Sequence, residues 1–340
     1  MDLTETMGTA IRTRVFLALE EQPRVAILAT GVDNWTCDNL KIDTNRDGID
    51  IDCCQNVRIS NCTVNSPWDD AICPKSSYAL GVPRVTENVT ISNCLVTGNY
   101  QVGSLLDGSW KKMPPEFAKD IHGRIKFGTE TNGGFRNVRI SDCICTNTRG
   151  ILMGIVDGGT LEDVSVSGII LRDPVNHPLF VHHGARMRAP RGTPIGRIRG
   201  VQFEDVTVSG AHPRFPCGVE GIADAPVEDV TFRNIHITAQ GGGTREDAAR
   251  VPEYRRETSL EVSYLGTLPA AGFYARHARR LTIRDVSLRT AAADARPVVA
   301  LRNVDGAIVD RVASAIPRDA VLDSRDSRNV ALGEVTRWGN

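Results

Sequence analysis

The chain has 340 residues, of which 41% are hydrophobic and 24% charged, with a formal net charge of −1. That composition excludes disordered and fibrous classes, and elongated all-β domains reach this length without dividing. A charge so near zero gives no global field toward nucleic acid or a membrane surface, so a polyanionic partner would have to meet a local cationic patch.

Met1 to Pro23 has no basic stretch followed by an apolar core, and no apolar run is long enough to span a bilayer. As written, the chain would stay in the cytoplasm. Residues 1–24 read as an atypical N-terminal segment or cap, and residues 25–340 as a single domain. An uncapped N-terminal coil end would favour an oligomer.

From residue 39 onward one unit recurs: a polar pair, alternating apolar residues, then Asn or Asp. It reads Asn39-Leu40-Lys41-Ile42-Asp43, then Asn56-Val57-Arg58-Ile59-Ser60-Asn61-Cys62. It returns as Asn88-Val89-Thr90-Ile91-Ser92-Asn93-Cys94 and Asn137-Val138-Arg139-Ile140-Ser141-Asp142-Cys143. Later copies begin at Asp163, Gly200, Asp229, Arg280, Gly306 and Asn329. Period-2 alternation of β-branched residues predicts short strands with one buried face, and a recurrence of this length predicts stacked repeats. The fold expected is all-β: a right-handed parallel β-helix, or solenoid, with long surface loops. Val57/Ile59, Val89/Ile91 and Val138/Ile140 then form apolar ladders, and the turn asparagines form amide ladders. A pair of β-sandwiches is the rival, but it does not account for the recurring unit.

The nine cysteines are an odd number and do not suggest a disulfide framework. Cys62, Cys94 and Cys143 share one repeat position and read as stacked, buried thiols. Cys53-Cys54 lacks metal-ligand spacing and reads as structural. Two stretches interrupt the repeat: the interval before Asn137, with Trp110-Lys111-Lys112-Met113-Pro114-Pro115, and the Gly-rich, then charged, Gln240 to Ala271. Both read as loops beside the solenoid, and the glycines have no phosphate-loop pattern.

Between Asn45 and Ser76 lie five aspartates: Asp47, Asp50, Asp52, Asp69 and Asp70. Asp47 and Asp69 are 22 residues apart, about one coil, so stacking would set them side by side with Asp70 adjacent. Three carboxylates so placed cannot ionise independently, and one should hold its proton. A carboxylic acid beside carboxylates can protonate a leaving oxygen while a neighbour activates water. The bland alternative is solvated turn aspartates. Asp50 and Asp52 alternate with Ile49 and Ile51 and read as structural. Arg124 and Lys126 lie two apart on one strand and face one way, a pair of outward cations suited to a substrate carboxylate, or a plain surface pair. In Val181-His182-His183-Gly184 alternation puts one histidine in and one out. Arg186 and Arg188 share a face, either against an acidic sugar or as surface cover. Trp68 and Trp110 read as sugar-stacking or packing residues.

Asn45-x-Asp47, Asp69-Asp70 and Arg124-Ile125-Lys126 together resemble the Asn-Thr-Asp, Asp-Asp and Arg-Ile-Lys signatures of the polygalacturonases, glycoside hydrolase family 28. Gly128-Thr129-Glu130-Thr131-Asn132-Gly133-Gly134, Gly184-Ala185-Arg186-Met187-Arg188 and Leu268 to His277 look like bacterial members, so the resemblance covers residues 25 to 310. It implies a β-helix that hydrolyses α-glycosidic bonds in pectin with inversion and without metal or other cofactor. Carried over, Asp69 is the general acid, Asp47 and Asp70 hold the water, and Arg124 and Lys126 bind the uronate, with Asn45, Tyr100, Arg186 and Arg188 as further substrate contacts. The partner implied is a pectic polysaccharide or oligosaccharide, with no nucleic acid and no membrane. It also implies a periplasmic or secreted protein if the N-terminus is truncated.

Two features depart from the family pattern. Arg46 stands where the family has Thr, and Thr97 to Ser104, where a Gly-His-Gly segment is expected, has no His; Tyr100 is the stand-in donor. A β-helix polysaccharide lyase and a catalytically degenerate carbohydrate-binding β-helix are the competing readings. The exact glycan and endo or exo action stay open.

Overall fold

The computed structural model describes residues 25–338 and the backbone of three short strands before them, Asp2–Thr4, Ala10–Arg12 and Phe16–Ala18. Those three pair in parallel with Ile27–Thr30, Thr36–Asp38 and Lys41–Asp43. The rest of the expected N-terminal segment or cap lies outside the described residues.

Up to Thr146 each coil contributes three short strands that pair in parallel with their counterparts one coil on; from Thr160 the second and third run together, as in Thr160–Arg172. Ile49–Asp52, Gln55–Ser60 and Thr63–Asn65 lie against Ile72–Lys75, Thr86–Ser92 and Leu95–Thr97. The chain is a right-handed parallel β-helix. The apolar ladders form as the alternation predicts. Val57, Val89 and Val138 stack in register, as do Ile59, Ile91 and Ile140, all buried. In later coils Phe203 and Phe232 continue the second ladder as stacked rings. Among the described residues no helix is long and apolar enough to cross a membrane.

The recurring Asn has a conformational cause. Asn56, Asn61, Asn88, Asn93 and Asn137 turn the chain with φ between 52° and 59°, the left-handed region that Asn tolerates best after Gly. Asn56 donates to Asn34, Asn88 to Asn56 and Asn137 to Asn88, at 3.0, 3.0 and 2.7 Å. The amide ladder exists, but it runs along the exposed turn and does not satisfy buried backbone. Cys37, Cys62, Cys94 and Cys143 lie in the core, Cys37 Sγ 3.9 Å from Cys62 Sγ, and all nine thiols are free and buried.

The second interruption, after the strand Val227–Gly241, packs on the outer face of one sheet. Leu260, Val262, Leu265 and Leu268 bury against this face, where Leu152, Phe180, Tyr274 and Ala300 point outward. Gly154 makes room for it, since a Cβ there would meet Leu260 Cδ2 at 2.4 Å. Two buried arginines pin it: Arg276 donates to the carbonyls of Pro252 and Glu253, and Arg296 to those of Pro213 and Leu268. His182 and His183 are both fully buried. His182 does point outward, but Thr258 and Tyr264 of the excursion cover it. Its two ring nitrogens make no hydrogen bond within the described protein.

Candidate active site

The aspartates gather where the third strand of one coil turns into the first strand of the next. Ile49 registers with Ile72, and Ile72 with Ile125. Asp70, 23 residues on, therefore stacks on Asp47, and its N–H donates to Asp47 Oδ1 at 3.2 Å. The 22-residue spacing had placed Asp69 there; the coil is one residue longer. Gly48 permits the close stacking, because a Cβ would meet the Ala71 carbonyl oxygen at 2.4 Å. Asp69 projects beside the stacked pair, with 22% of its side chain exposed. The structure thus gathers all three carboxylates.

Each carboxylate has different company. Burial, then the charges of Asp47 and Asp70, push the Asp69 carboxyl up to about 7, and Arg46, 3.4 Å away, offsets part of that. Burial also opposes ionisation of Asp70, but Arg124 and Lys126 override it and hold this carboxyl well below the usual range. Arg124 Nε donates to Asp70 Oδ1 at 2.6 Å and Lys126 Nζ to Oδ2 at 2.9 Å. Asp47 Oδ2 and Asp50 Oδ2 accept from Lys75 Nζ at 2.6 and 2.8 Å. Asp50 is thus a buried partner inside the cluster. Asp52 anchors the following turn, accepting from Ser77 N, Ser77 Oγ and Thr30 Oγ1.

Arg124 and Lys126 face the same side of the sheet and meet the aspartates one coil on, as alternation requires, but they are not outward surface cations. Only 2% of the Arg124 side chain and 11% of Lys126 are exposed. The reason is that Asp70 lies directly under them and Glu261 closes over Arg124, with Nη2 to Oε2 at 3.1 Å. Asn45 lines a hollow of about 400 Å³ with Trp68, Met113, Pro114 and Phe117, and its buried Oδ1 makes no hydrogen bond within the described protein. Tyr100 sits at the base of the insertion, its main chain paired with Asn65 and its ring edge-on to Trp110 at 5.1 Å. Among the described residues it makes no hydrogen bond to the three aspartates. Arg186 and Arg188 fall beyond the strand Leu179–His183, where Met187 takes a φ of 55°, so strand alternation does not orient them. Arg186 binds Asp157 and the Thr129 carbonyl; Arg188 has an exposed side chain.

Three contributors escaped the sequence reading. His122 precedes Gly123-Arg124 and falls one coil after Asp69 by register, because the insertion delays that coil. One ring nitrogen of His122 and one oxygen each of Asp69 and Asp70 lie within 4.8 Å of one another. Burial, then Arg149 and Arg124, hold this imidazole down to about 4. The signal was present as a His-Gly step immediately before Arg-Ile-Lys. Lys75 was legible as the outward residue one coil after Asp52. Glu261 had no local signal, since it lies 137 residues beyond Arg124.

Two groupings have the spacing to hold a cation, Asp69/Asp70/His122 and Asp47/Asp50/Cys73. In the second the Lys75 ammonium lies between the carboxylates, and in the first Asp70 is bound by Arg124 and Lys126. The protein itself supplies the positive charge at both.

A family model described as right handed beta helix region matches residues 25–170. The chain is 25% identical over 211 residues to a "Probable polygalacturonase" of Vitis vinifera, covering 58% of this chain and 37% of that one. Among solved structures, a hyperthermoactive exopolygalacturonase from Thermotoga maritima is similar at 19% identity and a TM-score of 0.49, over 63% of this chain and 45% of that one. A family 28 exopolygalacturonase of Yersinia enterocolitica is similar at 12% identity and a TM-score of 0.43, over 91% and 43%. The chain therefore spans less than half the length of each of these proteins.

Proposed function

We propose that this chain is a glycoside hydrolase that cleaves α-glycosidic bonds next to galacturonate in pectin-type polysaccharides, with inversion. The observation that carries the reading is the division of labour among three carboxylates. Asp69 keeps its proton near neutral pH and faces solvent, the condition for a general acid at the leaving oxygen. Asp47 and Asp70, stacked one coil apart, are the pair against which a water is held and deprotonated. Arg124 and Lys126 keep Asp70 charged, and Lys75 pairs with Asp47. Neutral His122 beside Asp69 and Asp70 offers a ring nitrogen to the water or to a sugar hydroxyl. The sequence similarity to a probable polygalacturonase supports the substrate class.

The lyase reading needs an unprotonated Lys or Arg to abstract a carbon-bound proton. Burial works against the charge on Lys75, Lys126 and Arg124, yet their carboxylate partners raise all three. The test is incubation with a panel of pectic oligosaccharides, with NMR of the first-formed anomer. Cleavage to a product of inverted configuration, absent in Asp69→Asn, is expected. Unsaturated products absorbing in the near ultraviolet would replace this reading with the lyase, and no cleavage of any uronate-containing glycan would sink it.

A further inference from the structure

The cations expected to hold a substrate carboxylate already hold carboxylates of the protein. Arg124 gives its Nε to Asp70 and its two terminal nitrogens to Glu261, Nη1 to Oε1 at 3.4 Å and Nη2 to Oε2 at 3.1 Å. That parallel pair of bonds is the way a guanidinium grips a free carboxylate. Arg149 Nη1 approaches the same Glu261 Oε2 at 3.4 Å. Lys126 is committed to Asp70, and Lys75 to Asp47 and Asp50. Four cations thus face Asp47, Asp50, Asp70 and Glu261, and Arg46 remains as the exposed cation beside Asp69. A uronate entering at Arg124 would bring a second carboxylate against Glu261 in a poorly solvated place, and like charges there repel strongly. Glu261 keeps 34% of its side chain exposed, so its oxygens can accept sugar hydroxyls.

We infer that Glu261 takes the place of a substrate carboxylate at Arg124, and that the sugar bound there is neutral: a hexose or deoxyhexose unit of a pectin-type glycan. Galacturonate is left to the other side of the scissile bond. The inference rests on the hydrolase reading and narrows it.

The experiment compares oligogalacturonides, their carboxyl-reduced counterparts (the same stereochemistry with CH₂OH for COO⁻) and a pectic oligosaccharide with a terminal deoxyhexose on galacturonate. The wild-type chain is expected to turn over one of the two neutral-sugar substrates at least about tenfold faster in kcat/KM than the oligogalacturonides. Glu261→Gln, which keeps shape and removes charge, should shrink that preference by about tenfold. A structural role for Glu261 would slow all substrates alike and leave the ratio unmoved, which would overturn its assignment. A wild-type preference for oligogalacturonides would overturn the neutral-sugar inference while leaving the hydrolase in place. Cleavage of none of the three would remove the hydrolase reading itself, and the inference with it. The wild-type preference needs no variant, so misfolding of Glu261→Gln does not spoil the test.

Discussion

Over the coils from Ile49 to Lys126 the outward row of one sheet reads Asp50, Cys73 and Lys126, whereas from the next coil on the same row reads Leu152, Phe180, Gly218, Tyr274 and Ala300. The backbone is paired identically throughout. Only the side chains change, and with them the fate of the surface. The apolar half carries the excursion and is dry, while the charged half stays partly open and holds the aspartates. Pairing geometry thus decides where residues stack, and the cover decides which of them can meet a ligand. Glu261 belongs to the cover and reaches back to the charged half, so it marks the boundary between the two.

The largest break in this contrast is Asp69→Asn. Loss of the proton donor should lower turnover by about 10³-fold, while circular dichroism and melting show the fold intact. Arg124→Met comes next. It strips a cation from buried Asp70 and from Glu261, and should cost about 3–5 kcal/mol in urea unfolding. Asp70 contributes stability that is present above its unfolded value and lost as pH falls below it, because its carboxyl is depressed in the fold. The penalty of Arg124→Met should therefore shrink in acid. On the covered half, Phe180→Ala should cost about 3 kcal/mol or more and speed proteolysis between residues 244 and 271. If that cleavage is unchanged, the apolar row is not what holds the excursion.

The pH profile sharpens the contrast on the open half. The acid must be protonated, so turnover should fall as pH rises through about 7, where Asp69 ionises. Arg46→Ala removes a charge that lowers this carboxyl, so the descending limb should move to higher pH. A limb that stays put would mean that another group is the acid. His122, held down to about 4, is neutral on both sides of that limb and should not shape it. The smallest effect is Asn88→Gly, which keeps the left-handed turn, breaks two rungs of the exposed amide ladder and should cost about 1 kcal/mol.

Much of this is legible in the sequence. Val57/Ile59 and their copies announce an inward face because the side-chain period of a strand is two. The recurring Asn announces a left-handed turn. Register was the weak point. A coil longer by one residue exchanges Asp69 for Asp70 over Asp47, and spacing alone cannot fix that length. The insertion between Val96 and Ile125 hid His122 in the same way, by moving it away from where an uninterrupted coil would place it. Arg124 shows a different limit. Alternation tells which face a side chain takes, but burial depends on what lies over that face, and Glu261 comes from 137 residues away. The double histidine shows the same limit, with the excursion lying over His182.

That reach has a consequence for how the protein is made. A ribosome that has just added Arg124 must add 137 more residues before the second carboxylate of its guanidinium exists. The coils before that point can stack as they emerge, each on the one before. The candidate site cannot be finished with them. It waits for a late-arriving segment, and until then the nascent chain carries an assembled aspartate cluster with its guanidinium only half neutralised.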